Sequence, residues 1–318
     1  MRIFRHYNDV PPDLKGAVVA VGNFDGVHRG HAALIDRAGH IARARGAALG
    51  VLAFEPHPRE FFRPSPESFR LTPFRSKAHL IAKRGVDALF CLNFDAALAG
   101  KSAQDFIKDV LVDGLGVSAV MVGEDFQFGK GRGGGVATLK AQDEFAVIVF
   151  DAVATAGEKI SSTRIREALK GGHPERAAEL LGHYWSIEGR VEHGDGRGRD
   201  LGFPTANMRL HDCLEPAFGV YAVRVSVMQN DKIVSRHEGV ANFGVRPMFE
   251  SATPLLETYL FDFDGDLYGA HLAVELVAYL RGEEKLPDLA ALKARIAQDC
   301  EMARAALKSA IGPLALDA

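Results

Sequence analysis

The sequence is poor in cysteine: three residues in 318, Cys91, Cys213 and Cys300, odd in number and far apart. That spacing indicates neither a disulfide framework nor a zinc cluster. No apolar run approaches the roughly 18 residues of a membrane span. The opening Met1-Arg-Ile-Phe-Arg-His6 leads into polar sequence, not an apolar signal core. Neither sign of charge dominates, for the formal net charge is −3, and a general nucleic-acid binder would show a strong basic excess. Internal repeats and low-complexity tracts are missing. The expectation is a soluble cytoplasmic protein without nucleic-acid or membrane partners, 47% hydrophobic and 25% charged. Its length suits two domains of about 150 residues each. A homo-oligomer is compatible with these features but not readable from them.

One stretch organises the chain. Ala17 to Val21 reads as a buried strand, and Gly22, Asn23, Asp25 and Gly26 read as a tight turn. An amphipathic helix follows, with Leu34, Ile35, Ala38, Ile41 and Ala42 on one face. His28 and His31 fall three apart in its first turn, beside unpaired N–H groups and the positive end of the helix dipole. Such a spot suits an anion, and two imidazoles can donate to phosphoryl oxygens. Gly30 lets a nucleotide approach the backbone closely. On this stretch alone two other readings stay open: half of a metal site, for which no nearby third ligand appears, or two surface histidines.

Further on, Ala47–Phe54 is a strand broken by Glu55-Pro-His-Pro58, where two prolines argue against regular structure. Arg75–Lys83 reads as a helix, Ala88–Leu92 as a strand and Ala103–Leu111 as a helix. The strand Ser118–Val122 runs into the glycine-rich stretch Gly123–Gly135, and Phe145–Phe150 is a further strand. This alternation predicts an α/β domain with a doubly wound parallel sheet. Ligands bind beyond the carboxyl ends of such strands, which is where the histidines and Gly123–Gly135 fall. Ser161, Ser162 and Thr163 are good caps for a short helix whose first turn carries Arg164 and Arg166. Those arginines either pair with nearby carboxylates or receive an anion from outside. Pro174–Leu181 is a helix closed by Gly182, which places a domain boundary between residues 183 and 184.

The period then changes. Tyr221, Val223, Val225 and Val227 alternate with Ala222, Arg224 and Ser226, and short strands follow at Lys232–Glu238, Leu255–Phe261 and Leu272–Leu280. Asp264-Gly265 marks a hairpin between the last two. This spacing predicts a small antiparallel β-barrel, and Asp288–Leu307 a closing helix packed through Leu289, Leu292, Ile296, Ala303 and Leu307. Gly194, Gly196, Gly198 and Gly202 can form an anion-binding nest. Thr205 and Asn207, two apart in extended chain after Pro204, offer oxygens suited to Mg²⁺. A glycine-rich hairpin with a Thr/Asn turn explains the same residues. Glu257 shares a face with Leu255, Tyr259 and Phe261, where desolvation raises a carboxylate's pKa and suits a general base. An edge-strand charge facing water is the alternative.

Gly22-Asn-Phe-Asp-Gly-Val-His-Arg-Gly-His31 resembles the HxGH signature of the α-phosphate nucleotidyltransferases, in the longer form of the FAD synthetase branch. Ile160-Ser-Ser-Thr-Arg-Ile-Arg166 resembles the second signature of that family. Gly198-Arg-Asp-Leu-Gly-Phe-Pro-Thr-Ala-Asn207, Glu257 before Asp266-Leu-Tyr-Gly269, and Arg281 are similar to the riboflavin kinase module. The whole chain thus resembles the bacterial bifunctional riboflavin kinase / FAD synthetase family. The resemblance implies a Rossmann-like adenylyltransferase domain over 1–183 and a riboflavin kinase domain over 184–318. It implies ATP as co-substrate with Mg²⁺, and riboflavin and FMN as substrates. His28, His31, Arg164 and Glu257 would be catalytic. Gly22, Phe24, Asp25, Gly30, Ser161, Ser162, Thr163, Arg166 and the four glycines would bind ATP. His57, Pro58, Asp125 and Arg281 would contact flavin, with Thr205 and Asn207 on the metal. A nucleotidyltransferase for another phosphorylated substrate, or a flavin-binding regulator with a spent HxGH site, are the alternatives.

Overall fold

A computed structural model describes residues 1–65, 68–151, 154–155, 158–193, 198, 201–210, 212–230, 232–245 and 254–310. Contacts divide the chain into a first unit, Met1–Pro66 with Thr72–Ser161, and a second, Glu67–Leu71 with Ser162–Ala318.

The first unit is built on strands β1 (Arg2–Phe4), β2 (Val18–Val21), β3 (Leu49–Glu55), β4 (Ala88–Asn93), β5 (Ala119–Gly123) and β8 (Ala146–Phe150). They form one sheet in the order β1-β4-β3-β2-β5-β8, and all their pairings are parallel. Alternation along β2 shows why both faces are covered. Val18 and Ala20 pack with Leu34, Ile35, Ala38 and Ala42 of α1 (Arg29–Arg45), whereas Val19 and Val21 join Val110 and Leu111 on the other side. Each valine, leucine or isoleucine among them withdrawn from water contributes roughly 1.5–3 kcal/mol. The helix expected over Ala103–Leu111 is longer: α5 (Ala103–Asp105), started by a Ser102–Asp105 capping box, continues as a π-helical run over Phe106–Leu115.

Glu55-Pro-His-Pro58 also departs from expectation. Pro58 opens a short helix, α2 (Pro58–Phe62), because a proline at the first helical position gives up an N–H that would have no partner there. Helices α3 (Phe74–Ala82), α4 (Ala96–Gly100) and α6 (Val136–Lys140) complete the unit with two ribbons. These are β6 (Gln127–Phe128) against β7 (Gly134–Gly135), and β9 (Ala154–Thr155) against β10 (Glu158–Lys159).

The second unit begins with α7 (Ser162–Lys170) and α8 (Pro174–Leu181), so the compact units divide ahead of residue 183. Residues 69–71 are tied into it by backbone carbonyls. Phe69 O accepts from Arg166 Nε, Arg70 O from Leu214 N and Leu71 O from Trp185 Nε1, each at 2.7 Å. Its sheet runs β11-β16-β13-β14-β15-β12, all antiparallel. The strands are β11 (Ser186–Arg190), β12 (Ala206–Arg209), β13 (Gly219–Gln229), β14 (Lys232–Gly244), β15 (Leu255–Leu260) and β16 (His271–Arg281). A bridge between Glu192 and Asn207 nearly closes the sheet into the expected barrel.

Two expectations need correction here. β15 pairs with β14 and β12, and β16 with β11 and β13, so Asp264-Gly265 does not turn a hairpin between neighbours. The closing helix α9 (Leu289–Ser309) is capped by Asp288, but Leu289 is exposed. It is buried through Asp299, Ala303 and Leu307, so its C-terminal half carries the packing.

Candidate functional site

The turn from β2 into α1 is strained. Phe24 sits at φ 50° and Val27 at φ 41°, a conformation that costs a β-branched residue most. Buried contacts hold it there. Asp25 Oδ1 accepts from Thr72 N at 3.1 Å and from the Thr72 hydroxyl at 3.4 Å, while Thr72 Oγ1 accepts from Gly26 N at 2.9 Å. Phe24 is fully buried, its ring edge against His31 at 5.2 Å. The side chains of Phe24 and Asp25 therefore face inward and shape the turn. Gly22 and Gly30 are half-buried.

Within this turn His28 and His31 stack, ring centroids 3.6 Å apart and planes 13° from parallel. His28 caps the helix with its ring: Nδ1 accepts from His31 N at 3.2 Å. An accepting Nδ1 carries no proton, so the ring is neutral with its hydrogen on Nε2. His31 Nδ1 is buried and has no hydrogen-bond partner among the described residues. Burial first, then repulsion from His28 whenever that ring takes up a proton, then the ammonium of Lys77, hold His31 well below the usual histidine range. The pair is thus built to donate hydrogen bonds as neutral imidazoles. Among the described residues no group of three or more His, Cys, Asp or Glu gathers for a metal ion, so the metal reading of the pair gains nothing.

Other expected residues of the first unit lie around the carboxyl edge of the sheet. His57 caps α2 through Nδ1, accepting from Arg59 N at 3.0 Å, and Pro58 follows as its first residue. Asp125, just past β5, is exposed and paired with Lys159. Ser161 ends the first unit, whereas Ser162, Thr163, Arg164 and Arg166 lie in α7 of the second. Thr163 is exposed and Arg164 half-buried. Besides its bond to Phe69 O, the Arg166 guanidinium lies 5.0 Å from the Phe69 ring centroid.

In the barrel, register builds a polar row. Asn207 of β12 lies opposite Glu257 of β15, and Glu257 opposite Asn242 of β14. Directly opposed side chains share a face with Cβ atoms about 4.5–5.5 Å apart. Asn207 is buried, whereas Glu257 and Asn242 are half-buried. This corrects the face assigned to Glu257. The buried face of β15 is Leu256, Thr258 and Leu260; Glu257 stands with Leu255 and Tyr259 on the more open one, and Phe261 lies past the strand. Asn207 Nδ2 donates to Thr205 O at 3.4 Å, which presents Oδ1 as the amide's acceptor end.

Gly198 packs so tightly that a Cβ would lie 2.5 Å from Phe203 O and 3.3 Å from Thr205 Oγ1, so only glycine fits. Gly202 has φ 87°. Gly194 and Gly196 lie outside the described residues. Thr205 also lines a cavity of about 400 Å³ with Pro204, Asp264, Asp266 and Tyr268. Beside it the rings of His193 and Tyr268 stack at 4.0 Å. Arg281 is engaged by α9: Nε and Nη2 donate to the two Asp299 oxygens at 2.8 and 2.7 Å, and Nη1 to Gly282 O at 2.9 Å.

Sequence reasoning missed Thr72, Lys77 and Asn242. Lys77 had a legible signal, a lysine in the same helical stripe as Ala78 and Ile81. The other two come into place only through tertiary contacts.

The family model of FAD synthetase matches residues 10–164, and that of riboflavin kinase matches 181–307. The chain is 43% identical over 291 residues to the bifunctional riboflavin kinase/FMN adenylyltransferase of Escherichia coli strain K12, covering 90% of this chain and 91% of that protein. It is 38% identical to the Haemophilus influenzae protein of the same name over 97% of this chain and 100% of that one. A crystal structure described as a macrolide-efflux protein from Streptococcus pneumoniae superposes with TM-score 0.84 at 28% identity, over 95% and 98% of the two chains. Among the described residues, no helix here is long and apolar enough to cross a membrane.

Proposed function

We propose the following division of labour for this chain, which belongs to the bifunctional riboflavin kinase/FMN adenylyltransferase family. The enzyme uses ATP to phosphorylate riboflavin to FMN, and a second ATP to adenylylate FMN to FAD. The kinase step is assigned to 184–318 and the adenylyl transfer to 1–183. ATP as co-substrate of both steps goes with a cytoplasmic location.

For the kinase step, Glu257 takes the proton from the ribityl 5′-hydroxyl as that oxygen attacks the γ-phosphate of ATP. The Thr205 hydroxyl and Asn207 Oδ1 fit Mg²⁺, which takes oxygen donors and keeps several waters; the orientation of the Asn207 amide supports this. When bound, the ion neutralises charge on the transferring phosphoryl group. The loop of Gly194, Gly196, Gly198 and Gly202 receives the remaining phosphates.

For the second step, the FMN phosphate is itself an anionic nucleophile, so attack on the α-phosphate releases pyrophosphate without a covalent enzyme intermediate. His28 donates through Nε2–H, and His31 stacked on it presents a second neutral ring. Arg164, with Ser161, Ser162, Thr163 and Arg166, holds nucleotide phosphates, while His57, Pro58 and Asp125 line the flavin side. Arg281 serves the flavin from beside its pair with Asp299.

The observation that carries this reading is that each unit assembles its own pair: stacked histidines at a helix start, and Asn207 opposite Glu257. Riboflavin incubated with ATP and Mg²⁺ and resolved by chromatography should give FMN and then FAD. Glu257→Ala should abolish FMN formation while FAD formation from supplied FMN survives. Equal loss of both activities would defeat the two-site assignment.

A further inference from the structure

Helix α3 turns Lys77, Ala78 and Ile81 inward. An ammonium with only 2% of its side chain exposed is costly unless its charge is matched. Glu55, the last residue of β3, brings a carboxylate oxygen 3.7 Å from Lys77 Nζ and is itself 16% exposed. That separation is a charge contact rather than a hydrogen bond. The start of α3 is fastened to the histidine turn, since Thr72, next to its Pro73 cap, bonds Asp25 and Gly26. The titratable groups acting on His31 are His28, from the cap of its own helix, and Lys77, from α3. Glu55 faces Lys77, and Asp25 is turned to Thr72.

A fixed positive charge here has a definite consequence. Nucleotide and FMN phosphates pull nearby imidazoles toward protonation, yet His28 must keep Nδ1 bare to cap α1. Two rings 3.6 Å apart also cannot both become charged at low cost. We infer that Lys77 is a positioning residue for adenylyl transfer: a buried ammonium, steadied by Glu55, that keeps the stacked histidines neutral and donating while phosphates are bound. This rests on His28 and His31 serving the adenylyl step.

The test compares kcat/KM for FAD formation from FMN across pH in wild type, Lys77→Arg, Lys77→Met and Lys77→Gln. Riboflavin kinase activity of the same chains serves as the internal control. Substrate titration is common to all four, so differences between profiles belong to the protein. Wild type and Lys77→Arg should share one acid limb. In Lys77→Met and Lys77→Gln that limb should move toward neutral by roughly one pH unit, with about tenfold loss near pH 6. An unmoved limb with kinase activity intact overturns the inference. Should both neutral variants lose kinase activity as well, the ring titration of His31 followed by NMR in wild type and Glu55→Gln decides. Removing the counter-charge of Lys77 should hold the ring neutral to a lower pH than in wild type, and an unchanged titration overturns the inference. A His28→Ala/His31→Ala chain that still makes FAD would sink the site assignment instead, a separate result.

Discussion

Gly30 shows how a single residue serves a motif. A Cβ there would stand 3.2 Å from both Cε1 and Nδ1 of His28, so the glycine makes room for the ring that caps α1 and stacks on His31. The sequence suggested close approach of a nucleotide at Gly30; the structure adds a demand from within the turn, room for the His28 ring. Gly30→Ala should therefore push His28 off its cap. Crowding of this kind costs about 1–3 kcal/mol, which converts to roughly ten- to a hundredfold in adenylyl transfer if the ring is displaced. FMN formation from riboflavin should be unchanged. Parallel assays of the two half-reactions check it, and an unimpaired FAD rate in Gly30→Ala would show that the ring position is irrelevant.

Among the elements, α9 is fastened to β16 by a buried ion pair. Asp299 is nearly buried and binds Arg281 of β16 through both oxygens, and this bond raises the arginine's pKa. Arg295 approaches the same carboxylate at 3.9 Å. Removing one partner of a buried pair typically costs about 3–5 kcal/mol, because the other charge is left uncompensated. Asp299→Ala should lower the second unit's stability on that scale, read from denaturant unfolding followed by Trp185, the chain's single tryptophan. Elements of this kind were unequally legible. The parallel sheet was readable because its strands are short apolar runs separated by helices, and Leu34, Ile35, Ala38 and Ala42 follow the helical period. Pairing in the barrel was not. Asp264-Gly265 carries the local chemistry of a hairpin, but near-closure through Glu192 and Asn207 sends β15 and β16 to different neighbours. The same limit misplaced Glu257: alternation shows that residues 255, 257 and 259 share a face, but only the packed sheet shows which face is inside. Leu289 fits the apolar stripe of α9 by spacing yet lies in the turn that the barrel does not cover.

At the scale of the whole chain, two chemistries that share a flavin are assigned to two separate motifs. The histidine turn sits at the carboxyl edge of a parallel sheet, as ligand sites in such sheets do. The Asn207–Glu257 row depends on antiparallel register within a barrel. Neither motif lends a residue to the other's proposed chemistry, so inactivating one should leave the other working. Mixing two full-length variants tests this directly. Glu257→Ala alone should turn over no riboflavin, and His28→Ala/His31→Ala alone should stop at FMN. Together they should convert riboflavin to FAD, after a lag that shortens as the concentration of the Glu257→Ala chain rises, because FMN made by one polypeptide must be released before the other adenylylates it. FMN accumulating without FAD in the mixture, while the Glu257→Ala chain still adenylylates supplied FMN, would mean that the product of the first step does not leave the chain that made it.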